Sequence, residues 1–261
     1  MKSMLFHRAL VPAVLDGRKR RTRRLLVAPP WATSEDVVRA HQEGHAHIGH
    51  MRDGRPVRRA SIQPYEVGER VYLREPWRPR WAPDGAVVVD YQLCPETRTV
   101  PAAAREGWRW PAAAHRGEGW CSPLIMPVFA ARAEMLIDLV RVERLQDITE
   151  DEARLEGLPF KVEPAMAEWN ALTGDTDPPG VWVGPPRLRR LTRGPRLTEE
   201  VVHHNTARAA FADWWDALAE EADRRRPRDR STGEPEGAPA PRWADNPWVF
   251  VYGFTCSRRT P

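Results

Sequence analysis

Residues 136–157 read LIDLVRVERLQDITEDEARLEG. Leu136 to Leu145 alternates in period two and carries β-branched side chains, which predicts a strand. The period then changes. Thr149 with Glu152 three positions later has the capping-box pattern, so a short helix is expected from Thr149 to about Glu156, stopped by Gly157. A strand giving way to a capped helix in one stretch argues for an α+β chain.

The same periods extend outward. Met4 to Leu15 has helical spacing with Pro12 as an early-turn residue, ended by Asp16-Gly17. The basic run Gly17 to Arg24 (GRKRRTRR) follows as an extended strand or turn. Strands are expected over RVYLRE (70–75), Ala86 to Leu93, and Asn246 to Thr255. An amphipathic helix is expected from Val201 to Glu221, with His203-His204 at its start. Segments 29–64, 95–120 and 159–200 read as insertions, and 224–242 as a flexible low-complexity loop. The hydrophobic strand after that loop must return to the core. The chain is therefore expected to be a single domain, 1–261, built as a small β-barrel flanked by helices with loop insertions.

Composition agrees with short elements. Twenty-six prolines and 17 glycines disfavour a long-helix bundle, while 41% hydrophobic residues support a core. Net charge is +4, but the first 80 residues are rich in arginine, which suits a nucleotide, nucleoside or nucleic-acid ligand. Three cysteines, Cys94, Cys121 and Cys256, form no CxxC pair. With no long apolar run or secretory h-region, a soluble cytoplasmic protein is expected, with no membrane partner. Walker, GxGxxG, HExxH and GxSxG patterns are absent from the sequence.

Four features carry chemistry. In the basic run, Lys19 and Thr22 pair an amine with a hydroxyl. Thr is a weak nucleophile that needs a base, and the arginines around Lys19 disfavour its protonated form. In a regular strand the two would point to opposite faces, so they cooperate only across a turn or bulge. The alternative is a solvated strand in which Arg18, Arg21 and Arg23 bind RNA or DNA. Glu150, Asp151 and Glu152 suit a helix N-terminus, but Glu156 stands at the C-terminal end, where negative charge is disfavoured. An exposed glutamate is the competing reading. His41, His45, His47 and His50 have spacing that a metal could use, but two glycines and no nearby cysteine argue against it, so no metal or other cofactor is expected. Of twelve tryptophans, Trp77 and Trp248 are expected to line a pocket, where aromatic rings beside arginine stack bases.

Together these segments resemble ASCH-domain proteins of the phage-type branch. Gly17 to Arg24 matches their GxKxxTxR signature, and Val67 to Trp77 (VGERVYLREPW) their GDxxxVRExW strand. Ser122 to Arg132 (SPLIMPVFAAR) resembles PSIHMPRWASR, Val140 to Gly157 resembles VRVERLQDITEEDAxAEG, and Trp243 to Val251 (WADNPWVFV) resembles WxxNPWVWV. Arg20 and Arg21 make this copy more basic, and Phe129 and Ala131 replace the Trp and Ser of RWAS. The resemblance implies a PUA-like barrel and, for some members, an amidohydrolase that deacylates N4-acetylcytidine. The catalytic set it implies is Lys19, Thr22 and Glu156, with Arg24, Arg74, Glu75, Trp77 and Trp248 toward the substrate. The expected ligand is a modified nucleoside or nucleobase. A non-catalytic RNA- or DNA-binding module, or a nuclease, using the same basic cleft is the alternative.

Overall fold

The computed structural model describes residues 1–45, 47–52, 55–105, 119–162, 171–172, 180–190, 197–229, 231–232 and 234–259. In chain order the strands are β1 Lys2–Leu5, β2 Arg21–Leu25, β3 His47–Arg52, β4 Arg55–Ser61, β5 Arg70–Arg74, β6 Trp77–Trp81 and β7 Val87–Tyr91. They continue as β8 Thr97–Val100, β9 Ala133–Arg144, β10 Phe160–Val162, β11 Gly180–Arg190, β12 Leu197–His204 and β13 Trp248–Arg258. The α-helices are α1 Val11–Leu15, α2 Ser34–Gln42, α3 Glu150–Leu155 and α4 Ala207–Arg224.

The class is α+β. The described strands form four open sheets, ordered β1-β5-β9-β13-β2, β10-β11-β12, β3-β4 and β6-β7-β8, and no closed barrel. Where one domain with insertions is expected, the chain divides into two compact units of non-contiguous segments. The first holds 1–22, 63–140 and 252–261, and the second holds 23–62 and 141–251. Strands β2, β9 and β13 contribute residues to both.

In the first unit β1 runs parallel to β5, and β5 antiparallel to β9. The β6-β7-β8 meander buries Trp77, Val87, Val89, Tyr91 and Val100 against Tyr72, Met126 and Ala130. Period-two alternation assigns this face: the paired residues Arg78 and Asp90 stay on the other. Gly253 in β13 marks a close approach. A Cβ there would lie 2.3 Å from both Arg21 Nη1 and Asp138 Oδ1 and 2.8 Å from Leu139 Cβ. Gly253→Ala is expected to cost about 1–3 kcal/mol by overpacking, read by chemical denaturation.

In the second unit β10, β11 and β12 form an antiparallel sheet, and α4 donates Trp214 Nε1–H to the Val183 carbonyl of β11. The buried face of α4 carries Ala207, Ala210, Phe211, Trp214 and Ala219. Glu150 accepts from the Ala207 and Arg208 amides, so an acid placed in the first turn of α3 also satisfies the start of α4.

Two expectations are corrected, at the N-terminus and at residues 201–204. The N-terminal stretch begins as β1, followed by a 3-10 turn at Arg8–Leu10, and only Val11–Leu15 is α-helix, with Pro12 in its first turn. Residues 201–204 extend a strand, and the helix starts at Ala207, where Thr206 caps the Ala209 amide. Segment 29–64 holds α2, opened by a Thr33–Asp36 capping box, and the β3-β4 hairpin. Segment 95–120 includes β8, while Trp108 and Trp110 lie outside the described residues. The expected flexible loop 224–242 contains an Arg228–Pro235 bridge, and its Arg242 donates to Asp223 and to the Asp216 carbonyl.

Candidate functional site

In the first unit the basic run leaves α1 through Gly17 at φ 79°, a left-handed conformation that suits glycine. The Lys19 amide then donates to the Ala13 carbonyl at 2.8 Å, drawing the chain back over the end of the helix. Arg20 accepts from the Phe254 amide at 3.0 Å, and β2 begins only at Arg21. Lys19 therefore precedes the strand. Regular alternation from Lys19 would bury every second residue, yet Lys19 and Thr22, at 2% and 5% exposure, are both buried while Arg21 is half-exposed. The odd separation thus does not set them on opposite exposures. The Lys19 amine lies 5.7 Å from the centroid of Phe6, which packs on Phe254.

In the second unit, Arg23 is the hub of an acid cluster. Its side chain is 0% exposed. Nε and Nη2 donate to Glu143 at 3.0 and 2.7 Å, Nη2 also to Glu152 at 2.7 Å, and Nη1 to Glu156 at 2.9 Å. Arg141 donates to Glu143 and Glu152, so two guanidiniums meet three carboxylates. The guanidinium of Arg23 stacks 5.8 Å from the Phe211 ring. This explains two features of α3. The Thr149 hydroxyl accepts from the Glu152 amide, but the Glu152 carboxylate turns to Arg23 and Arg141 instead of completing the capping box. Glu156, at the C-cap before Gly157 at φ 72°, is buried against Arg23. Burial raises the Glu152 carboxyl, but the Arg141 hydrogen bond and the charges of Arg23 and Arg141 outweigh it and hold its pKa below the ordinary value.

No protein-family model, curated protein or solved structure matches this chain.

The remaining expected site residues fall as follows. Glu75 and Trp77 are fully buried in the first unit: Glu75 receives a fork from Arg132 at 2.8 and 2.7 Å, and Trp77 is core. Both residues expected toward the substrate thus have no exposed surface. Arg74 donates to the Tyr72 hydroxyl at 3.2 and 3.0 Å and lies over its ring. In the second unit, half-buried Trp248 has Arg144 4.2 Å over its ring, and its buried Nε1 has no hydrogen-bond partner among the described residues. Asn246, at φ 45°, sets this turn by accepting from the Gln146 amide and the Arg144 guanidinium. Arg24 is half-buried.

The donors of Arg23, expected toward nucleic acid, are engaged by Glu143, Glu152 and Glu156. Arg18 pairs with Asp16, and Arg21 with Asp138 at 3.4 Å. Lys19 and Thr22 belong to the first unit and Glu156 to the second. Among the described residues no group of three His, Cys, Asp or Glu is placed to hold a metal ion. His41 packs edge-on to Phe250, and His204 lies 3.1 Å from Asp213. No described helix is long and apolar enough to cross a membrane.

Sequence reasoning missed Arg132, Arg141, Glu143 and Glu96 as members of charge networks. One signal was available: RVYLRE puts a glutamate at the end of an otherwise buried strand, which calls for a buried cation.

Proposed function

We propose that this chain is an ASCH-type, PUA-like amidohydrolase that removes the acyl group from an N4-acylated cytosine nucleoside. Thr22 is the nucleophile and Lys19 its base. The observation that carries this reading is the burial of Lys19 at 2% exposure, between exposed Arg18 and Arg20. A solvated phosphate-binding strand would leave all three in water. A base that must take a proton from a hydroxyl is better served by an amine withheld from solvent.

In the proposed reaction the neutral Lys19 amine takes the Thr22 hydroxyl proton as Oγ1 attacks the amide carbon. Collapse of the tetrahedral intermediate breaks the carbon–N4 bond, and Lys19 returns the proton to the leaving N4, which departs as the free amino group. Water, deprotonated by Lys19, then cleaves the Thr22 ester, releasing the carboxylic acid and restoring the hydroxyl. Arg24 is assigned to the developing oxyanion or the sugar. Glu156, which the resemblance adds, is engaged by Arg23 in the second unit. Glu156→Gln tests whether the reaction needs its charge.

The experiment is incubation with N4-acetylcytidine, following cytidine by chromatography. Lys19→Ala and Thr22→Ala are each expected to lose about 100-fold or more in kcat/KM, with circular dichroism confirming the fold, and Thr22→Ser to retain turnover. An acyl group trapped on the peptide containing Thr22 supports the ester step. Absence of turnover by the wild type, or unchanged turnover in both alanine variants, overturns the reading.

A further inference from the structure

The first unit holds a cavity of about 600 Å³, a size that accommodates a small ligand, lined by Glu96, Thr97, Arg98, Arg132, Arg258 and Arg259 together with Tyr91 and Thr99. Its floor is fixed. Arg132 is 4% exposed, forked onto fully buried Glu75 and stacked 4.2 Å from the Tyr91 ring. Arg98 donates to the Phe129 and Ala131 carbonyls, and Arg259 to that of Val128.

Glu96 distinguishes this cavity from a solvated basic face. Its Oε2 receives Arg132 Nη1 at 2.9 Å and Arg258 Nη1 at 2.6 Å, and its Oε1 receives Arg258 Nη2 at 3.1 Å. One carboxylate is thus gripped by two guanidiniums, a fork from Arg258 at the end of β13 and a single donor from Arg132 just before β9. A guanidinium fork with a second converging donor is also what a phosphate oxygen set takes. Glu96 lies in the irregular link between β7 and β8, and both its side chain and that of Arg258 are 48% exposed. A half-exposed ion pair is weakly held. Four arginines face three acids, Glu75, Glu96 and, 3.9 Å from Arg259, Glu134. Removing Glu96 therefore leaves the cavity more cationic and frees the Arg258 fork, while Arg132 stays fixed by Glu75.

We infer that this cavity is a binding site for the phosphate group of a small phosphoester, with the Glu96 carboxylate as the internal anion that the ligand displaces. The site does not depend on the Lys19–Thr22 chemistry.

The test is isothermal titration of the full chain with inorganic phosphate at constant ionic strength, repeated with cytidine monophosphate and with cytidine. Glu96→Gln keeps the side-chain volume and removes the competing charge, so it is expected to tighten phosphate binding about tenfold, and Arg258→Ala to weaken it about tenfold. Both side chains are about half-exposed, which keeps the fold out of the result. Binding of the nucleotide but not the nucleoside assigns the affinity to the phosphate. Saturation seen only in Glu96→Gln supports the displacement step, provided Arg258→Ala in that background removes it. No saturation in wild type and Glu96→Gln up to about 10 mM, where affinity is weaker than about 3 kcal/mol, overturns the proposal. So does an affinity that Arg258→Ala leaves unchanged.

Discussion

Arg23→Ala is expected to destabilise the second unit by about 3–5 kcal/mol, measured by chemical denaturation. The side chain is fully buried, and its loss takes a guanidinium away from half-buried Glu143 and Glu152 and from buried Glu156, while Arg141 stays with Glu143 and Glu152. Withdrawing a cation from buried and half-buried carboxylates costs more than the cavity does. Arg23→Lys keeps the charge but cannot reach three acids with a fork, so an intermediate loss of about 1–3 kcal/mol is expected. The pH dependence separates charge from packing. In the wild type the depressed Glu152 carboxyl contributes stability that is present above its unfolded pKa and is lost as pH falls through its lower folded value. In Arg23→Ala the crowded acids gain by taking protons. The gap between variant and wild type should therefore narrow on acidification. A gap that stays constant with pH would assign the loss to packing alone.

Arg132→Ala is the second large effect, again about 3–5 kcal/mol, this time in the first unit. It strands Glu75, which has no exposure at all. Burial already pushes the Glu75 carboxyl above its ordinary value, with the hydrogen bond and charge of Arg132 opposing it. The raised folded pKa means that its contribution is most favourable below the unfolded value and is lost as pH rises through the folded one. Without Arg132 the carboxyl rises further, so the penalty is greatest at neutral pH. Adding Glu75→Gln to Arg132→Ala should recover part of the loss, since it removes the unpaired charge. Failure of that rescue would show that the fork supplies packing around Tyr91 more than charge balance.

Much of the secondary structure was legible because it rests on local signals. The β9 strand and α3, the Thr149 cap, the stop at Gly157 and the β5, β7 and β13 strands follow from period and turn chemistry. The misread elements are those where local spacing and long-range pairing compete. Met4 and Leu5 open the stretch with helical spacing but pair with β5 across more than sixty residues. Residues 201–204 look helical but continue the ladder to β11, and the true start of α4 waits for Thr206.

The same limit applied to the site. The sequence by itself singled out Lys19, Thr22 and Glu156 as chemically out of place, the first two within one basic run and the third at the wrong end of a helix. It also set the α+β class. Only the tertiary structure decided which of the basic residues remain in water: Arg18 and Arg20 stay outside, while Lys19 and Arg23 are drawn in. It also buried Glu75 and Trp77, and assembled the Glu75–Arg132–Glu96–Arg258 network from segments far apart in the chain. The physical reason is that period and capping are fixed by neighbours within a few residues. Burial of a charge depends on which distant partner arrives to neutralise it, and no local pattern records that partner.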